Sequence, residues 1–234
     1  ERAEPRSPQF WMQTMKIGLF GGTFDPIHWG HLRSAEEVRE AFSLDRLLFV
    51  PASNPPHKKR QPSTSARDRL EMVRLAIAKN PGLALSTVEL SRPGKSYSVD
   101  TLRHFAQTQS PKNSLYFILG LDAFREIGSW KDFQKIFPLC HLIVTSRPGC
   151  GDSMSLGRMP VAVRRLFCYD PRKKIYRHQS GTYLSFFRLT DIAISASEIR
   201  DRLREGRSIR YLVPFEVETY IKKRGLYRGT QEGR

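Results

Sequence analysis

The chain has 234 residues, of which 39% are apolar and 26% charged, with a net charge of +16. That composition predicts a folded globular chain rather than a disordered one, and no apolar run is long enough to span a bilayer. The positive balance points to anionic ligands without choosing between small phosphates and nucleic acid. Three cysteines, none in a Cys-x-x-Cys pair, suggest neither a disulfide framework nor a zinc site and fit a reducing cytoplasm.

Glu1–Thr14 has charges and prolines but no apolar core of a secretory signal, and reads as a disordered extension or a cloning remnant. From Met15 the chain alternates short apolar runs with amphipathic stretches. Strands are expected at residues 16–20, 45–50, 83–88, 115–119 and 141–145. Helices are expected at 30–42, 66–79 (Leu70, Val73 and Ile77 inward), 98–107 and from 122. Residues 51–63 hold four prolines and must be irregular. Residues 147–182 break the rhythm and read as a surface insertion with at most one short helix. A last strand at 186–189 and helices at 197–204 and 214–223 close the chain, before a tail at 228–234.

This order predicts an α/β fold: a Rossmann-like, doubly wound parallel sheet with a small C-terminal helical part, in one domain over residues 15–227. Ligands are expected at the carboxyl ends of the strands.

The segment Gly21-Gly22-Thr23-Phe24-Asp25-Pro26-Ile27-His28-Trp29-Gly30-His31 follows the first strand and opens a helix. Paired glycines let backbone N–H groups approach a ligand, and the helix start favours anions. His28 and His31, three apart, share a helical face and can donate to phosphate oxygens. Neither the Walker A nor the Gly-x-Gly-x-x-Gly pattern is present in this turn. Near the other end, Ile194-Ser195-Ala196-Ser197-Glu198-Ile199-Arg200 has Ser195 as N-cap and Glu198 three residues on, a capping box. The same helix start offers hydroxyls at Ser195 and Ser197 and the planar fork of Arg200.

The first segment resembles the phosphate-binding motif of the cytidylyltransferase-like superfamily, whose core is His-x-Gly-His, and in its full length is similar to bacterial nicotinate mononucleotide adenylyltransferases. The second is similar to that family's Ile-Ser-Ser-Thr-x-x-Arg, with Ala196 and Ser197 in place of Ser and Thr. Pro55-Pro56-His57-Lys58 resembles a loop that closes over the family's active site. Gly94 to Leu102 resembles Gly-x-Ser-Tyr-Thr-x-Asp-Thr-Leu, with Ser98 for Thr. The resemblance covers nearly all of residues 15–227, and the 147–182 segment matches least.

The resemblance implies an enzyme of NAD biosynthesis that transfers AMP from ATP to nicotinate mononucleotide. His28, His31, Lys58 and Arg200 would be the catalytic groups. Gly21, Gly22, Thr23, Phe24, Gly120, Asp122, Ile194, Ser195 and Ser197 would join His28, His31 and Arg200 around ATP. Asp25, His57, Lys58, Tyr97, Ser98 and Trp130 would hold the mononucleotide, with Trp130 stacked on its ring. Lys131 stands where some relatives have Tyr, so that contact does not carry over. Magnesium would travel on the substrate phosphates, since no carboxylate cluster is visible and no protein ligand is assigned. An acceptor such as the amide mononucleotide, and a basic nucleic-acid module, are the competing readings. The basic runs 58–60 and 172–174 lack adjacent aromatic platforms apart from the nearby Tyr176, and no nucleic-acid or membrane partner is expected.

Overall fold

The computed structural model describes residues 14–55, 62–146 and 159–228. In chain order the elements are β1 (Lys16–Gly22), α1 (Trp29–Ala41), β2 (Arg46–Pro51), α2 (Ala66–Ile77), β3 (Leu83–Leu85), α3 (Ser98–Thr108), β4 (Ser114–Gly120) and α4 (Leu121–Arg125). They continue with β5 (His141–Ser146), α5 (Val161–Arg164), β6 (Phe167–Asp170), β7 (Ile175–His178), β8 (Tyr183–Arg188), α6 (Ala196–Arg204) and α7 (Phe215–Arg224). They build one sheet in the order β3-β2-β1-β4-β5-β8-β7-β6. The first six of these strands are parallel, and β6 and β7 add an antiparallel edge.

Side chains alternate across the strands, so both faces are apolar and both are covered. On one face Ile17, Leu19, Leu115, Phe117, Leu119, Leu142 and Val144 pack with Val99, Leu102 and Phe105 of α3 and Phe124 of α4. On the other, Leu47, Phe49, Tyr116, Ile118 and Ile143 pack with α1, α2, α6 and α7 through residues such as Val38, Val73, Ile199 and Val217. Parallel strands buried on both sides read as continuous apolar runs, as β4 does (Leu-Tyr-Phe-Ile-Leu).

The strand order reverses between β1 and β4, which pair directly while their following connections leave toward opposite faces. The crevice at their carboxyl ends is therefore where a ligand fits such a sheet.

Two expectations are corrected here. Residues beyond 158 in the presumed insertion continue the sheet: β6 and β7 form a hairpin, joined through β7 to β8. Arg147 and the rest of 147–158 lie outside the described residues. In α2, Arg69 rather than Leu70 takes the inward position beside Met72, Val73 and Ile77.

Candidate active site

β1 delivers the chain to the crevice and α1 carries it away. Between them, Phe24 adopts a left-handed φ of 50°, and its buried ring lies edge-on to the His31 imidazole, with centroids 5.1 Å apart. A Cβ at Gly22 would fall 2.7–3.0 Å from the Phe24 ring, so this close crossing requires glycine. Helix α1 starts at Trp29 without a side-chain cap from His28, and the Trp29 N–H donates instead to the Leu212 carbonyl at 3.2 Å. The rings of His28 and His31 stack at 3.8 Å and 27°. Of the two residues between them, Gly30 leaves room for the stack, since a Cβ there would sit 3.0 Å from His28 Cε1 and Nδ1.

The same Cβ would lie 3.7 Å from the carbonyl oxygen of Ile194, so the segment leading into α6 runs directly against the start of α1. Two further bonds hold these parts together. Arg200 Nη1 donates to the Asp25 carbonyl at 2.7 Å, and the Thr190 N–H donates to Glu37 Oε2 of α1 at 2.8 Å. Burial pushes the Glu37 carboxyl upward, but bonds from Thr190 and the Arg33 guanidinium prevail and hold it below its usual value. At the α6 start, Ser195 Oγ accepts the Glu198 N–H at 3.1 Å and lies 3.1 Å from Ser197 Oγ. Only half of the expected capping box is seen, since the Glu198 carboxylate accepts from Arg202 at 3.0 Å. The two helix starts and their hydroxyl, imidazole and guanidinium groups thus converge on one place.

Beside that place a cavity of about 210 Å³ opens at the ends of β1, β2 and β4. Gly21, Gly22, Thr23, Gly120, Ser98, Thr101 and Trp130 are among the residues that line it. Trp130 is partly buried, edge-on to Phe117 at 6.4 Å between centroids. Its large face suits an aromatic ring ligand.

Other candidates have different surroundings. Asp25 is not among the residues lining the cavity, and its carboxylate accepts from Ser63 N–H (2.7 Å), Thr64 hydroxyl (2.8 Å) and Tyr227 hydroxyl (2.7 Å). It therefore latches the chain after the proline-rich loop to the C-terminal segment. The buried ring of Phe24 supports His31 rather than lining the cavity. Asp122 is not the N-cap, which is Gly120; it points to solvent and pairs with Arg125 at 3.3 Å. The Tyr97 ring turns to Lys131, whose Nζ lies 4.6 Å from its centroid and also bonds Asp100 at 3.1 Å. Ser96 and Ser98 on either side of Tyr97 line the cavity. His57 and Lys58 lie outside the described residues. Among the described residues no three His, Cys, Asp or Glu side chains gather to hold a metal.

Sequence reasoning missed two buried charges. Arg69 is 1% exposed and donates to the carbonyls of Thr23 (2.8 Å), Ala52 (2.6 Å) and Ser53 (3.1 Å), tying the β1 and β2 loops into one rim. Burial lowers its guanidinium pKa, against the favourable charge of Asp25. Glu89, 8% exposed, is the only charged residue lining the cavity among the described residues. The signal for Arg69 was a cation in an inward helical register; Glu89, in the stretch between β3 and α3, gave none.

A family model described as cytidylyltransferase-like matches residues 19–202. A probable nicotinate-nucleotide adenylyltransferase of Syntrophotalea carbinolica is 48% identical over 93% of this chain and 99% of its own. One from Geobacter sulfurreducens is 47% identical over 91% and 98%. Among solved structures, the nicotinic acid mononucleotide adenylyltransferase of Plasmodium falciparum, complexed with NaAD, superposes with a TM-score of 0.69. It shares 20% identity over 91% of this chain and 97% of its own, a likeness of fold.

Proposed function

The chain belongs to the cytidylyltransferase-like family, and from that premise we infer that it transfers AMP from ATP to nicotinate mononucleotide in NAD biosynthesis. The observation that carries the reading is the stacked His28–His31 pair, set against the α6 start and beside a cavity walled by Trp130 and Ser98.

A phosphate oxygen of the mononucleotide attacks the α-phosphorus of ATP. A new P–O bond forms, the bond to the bridging oxygen of the β-phosphate breaks, and pyrophosphate leaves with the bonding pair. The nucleophile is already an anion at neutral pH, so no general base is needed. The demand is in-line placement of two repelling anions and stabilisation of added charge. In this reading His28 and His31 hold the ATP phosphates, with His31 donating to the oxygen that gains charge. Arg200 and the α6 start add positive potential, and Lys58 closes from its loop. The family's divalent cation, here magnesium, arrives on the phosphates as part of the substrate. Ser98 and the N–H groups at the start of α3 read the pyridine carboxylate, while Trp130 covers the ring. An amide would present less charge to those donors, so the acid is the better substrate.

The test is pyrophosphate release from ATP and magnesium with nicotinate mononucleotide, its amide analogue, or no acceptor. Release chiefly with the acid form, lost in a folded His31→Ala variant, is expected. Release chiefly with another acceptor would overturn the substrate assignment.

A further inference from the structure

Glu89 stands in the connection between β3 and α3 and reaches the cavity, yet it is 8% exposed. Its Oε1 accepts from the Thr101 hydroxyl at 2.8 Å, and Thr101 in turn accepts from Arg92 Nη2 at 2.5 Å. That chain fixes the carboxylate's orientation. Its other oxygen, Oε2, is shielded from solvent and has no hydrogen-bond partner among the described residues. A dry carboxylate oxygen left unmatched costs free energy unless a partner arrives. The nearby guanidinium of Arg69 feels the Glu89 charge, but its Nη donors go to three backbone carbonyls. Among the described residues, no other charged residue lines the cavity.

Nicotinate mononucleotide, taken from the function proposed above, is a zwitterion. Its ring is an N-glycosylated pyridinium that carries a full positive charge, and its carboxylate carries the negative one. Ser98 and the start of α3 answer the carboxylate, but hydroxyls and N–H groups do nothing for the cation. A fixed anion and an aromatic face do, and Glu89 and Trp130 line the same cavity. We propose that Glu89 is the counter-ion of the substrate's pyridinium ring, so that the enzyme selects the ring's charge as well as its carboxylate. The reduced, dihydropyridine form of the mononucleotide has the same carboxylate, ribose and phosphate but a neutral ring, and Glu89 leaves it disfavoured.

The experiment compares kcat/KM for the oxidised and reduced mononucleotides, near pH 8 with ATP saturating, in the wild type, Glu89→Gln and Glu89→Asp. The wild type should prefer the cationic ring by about tenfold or more. Glu89→Gln, which retains an oxygen for Thr101, should bring the ratio close to one, by a higher KM for the oxidised form. Glu89→Asp withdraws the charge by one methylene and should give an intermediate ratio. A wild-type ratio near one overturns the proposal without any variant. So does an undiminished ratio in either variant, including one that loses thermal stability and slows both substrates alike, which is the mark of a merely structural carboxylate. Absence of pyrophosphate release with any mononucleotide would overturn the enzymatic reading and this inference together, whereas brisk release with an indifferent ring charge defeats the counter-ion alone.

Discussion

Replacing Arg69 by Met tests whether the rim of the crevice is a built structure. The side chain is 1% exposed and makes three hydrogen bonds to main-chain carbonyls of two different loops, at 2.6, 2.8 and 3.1 Å. Hydrogen bonds to a charged donor contribute about 1.5–3 kcal/mol each, so three give roughly 5–9 kcal/mol gross. Against this stands the desolvation of a buried guanidinium, several kcal/mol, which Met does not suffer. The net loss is about 2–4 kcal/mol, with three carbonyls orphaned, and in a chain of this length that lowers Tm by roughly 6–12 °C. Thr23 and Ala52 line the cavity, so the KM for the mononucleotide should rise several-fold. Arg69→Lys should recover less than half of the stability, because one ammonium cannot span three carbonyls. Thermal unfolding with steady-state kinetics measures both effects. An Arg69→Met variant within about 0.5 kcal/mol of wild type and with unchanged KM would refute the reasoning.

Gly30→Ala should lower kcat by at least about tenfold with little change in Tm, since the new Cβ at 3.0 Å from the His28 ring breaks the imidazole stack; steady-state kinetics on the purified variant checks it. Glu37→Ala should cost about 2 kcal/mol and raise the KM for ATP, because the Thr190 N–H that holds the approach to α6 loses its acceptor; urea titration and ATP saturation curves measure the two. Burial, with the charge of Lys16 adding, holds the folded-state pKa of His141 at about 4, against an ordinary 6.5. The unfolded chain therefore takes up a proton first: stability present above pH 6.5 drains away as pH falls toward 4, by up to about 3 kcal/mol before solvent screening reduces it, and urea titrations should show this slope lessened in His141→Phe. Burial also pushes the pKa of the Cys140 thiol up and so suppresses its reactive thiolate, so timed alkylation followed by mass spectrometry should label exposed Cys168 readily and Cys140 only on unfolding.

The elements that the sequence made legible are those whose reasons are local. β4 is a run of five apolar residues, and α1 follows a Gly-Gly turn with its buried positions at helical spacing. Both helix starts, the imidazole pair and Ser195 as N-cap could be read because every residue involved lies within one short segment. The hairpin of β6 and β7 could not be read in the same way. Its strands are four residues each, carry exposed polar positions, and have too little apolar alternation to signal themselves. What makes them strands is the free edge of β8, which Tyr176 and Arg177 join. The turn between them did leave a trace: Asp170 receives the N–H groups of Arg172 and Lys173, and Lys174 adopts φ of 53°.

The site divides along the same line. Asp25 sits in the phosphate motif, and neighbours in sequence suggested a ligand role, but its partners Thr64 and Tyr227 lie 39 and 202 residues away. Contacts of that span are set by the fold as a whole. Motif residues therefore sort into two groups by the reach of their bonds. Gly30, His28 and His31 act on one another at the start of α1. Asp25 and Phe24 turn inward and hold the loop that presents them. In the proposed function the first group meets the ligand, while the second meets the protein. The charges that complete the crevice, Arg69 and Glu89, come from outside the motif, where only the folded arrangement brings an inward-facing ion to the same rim.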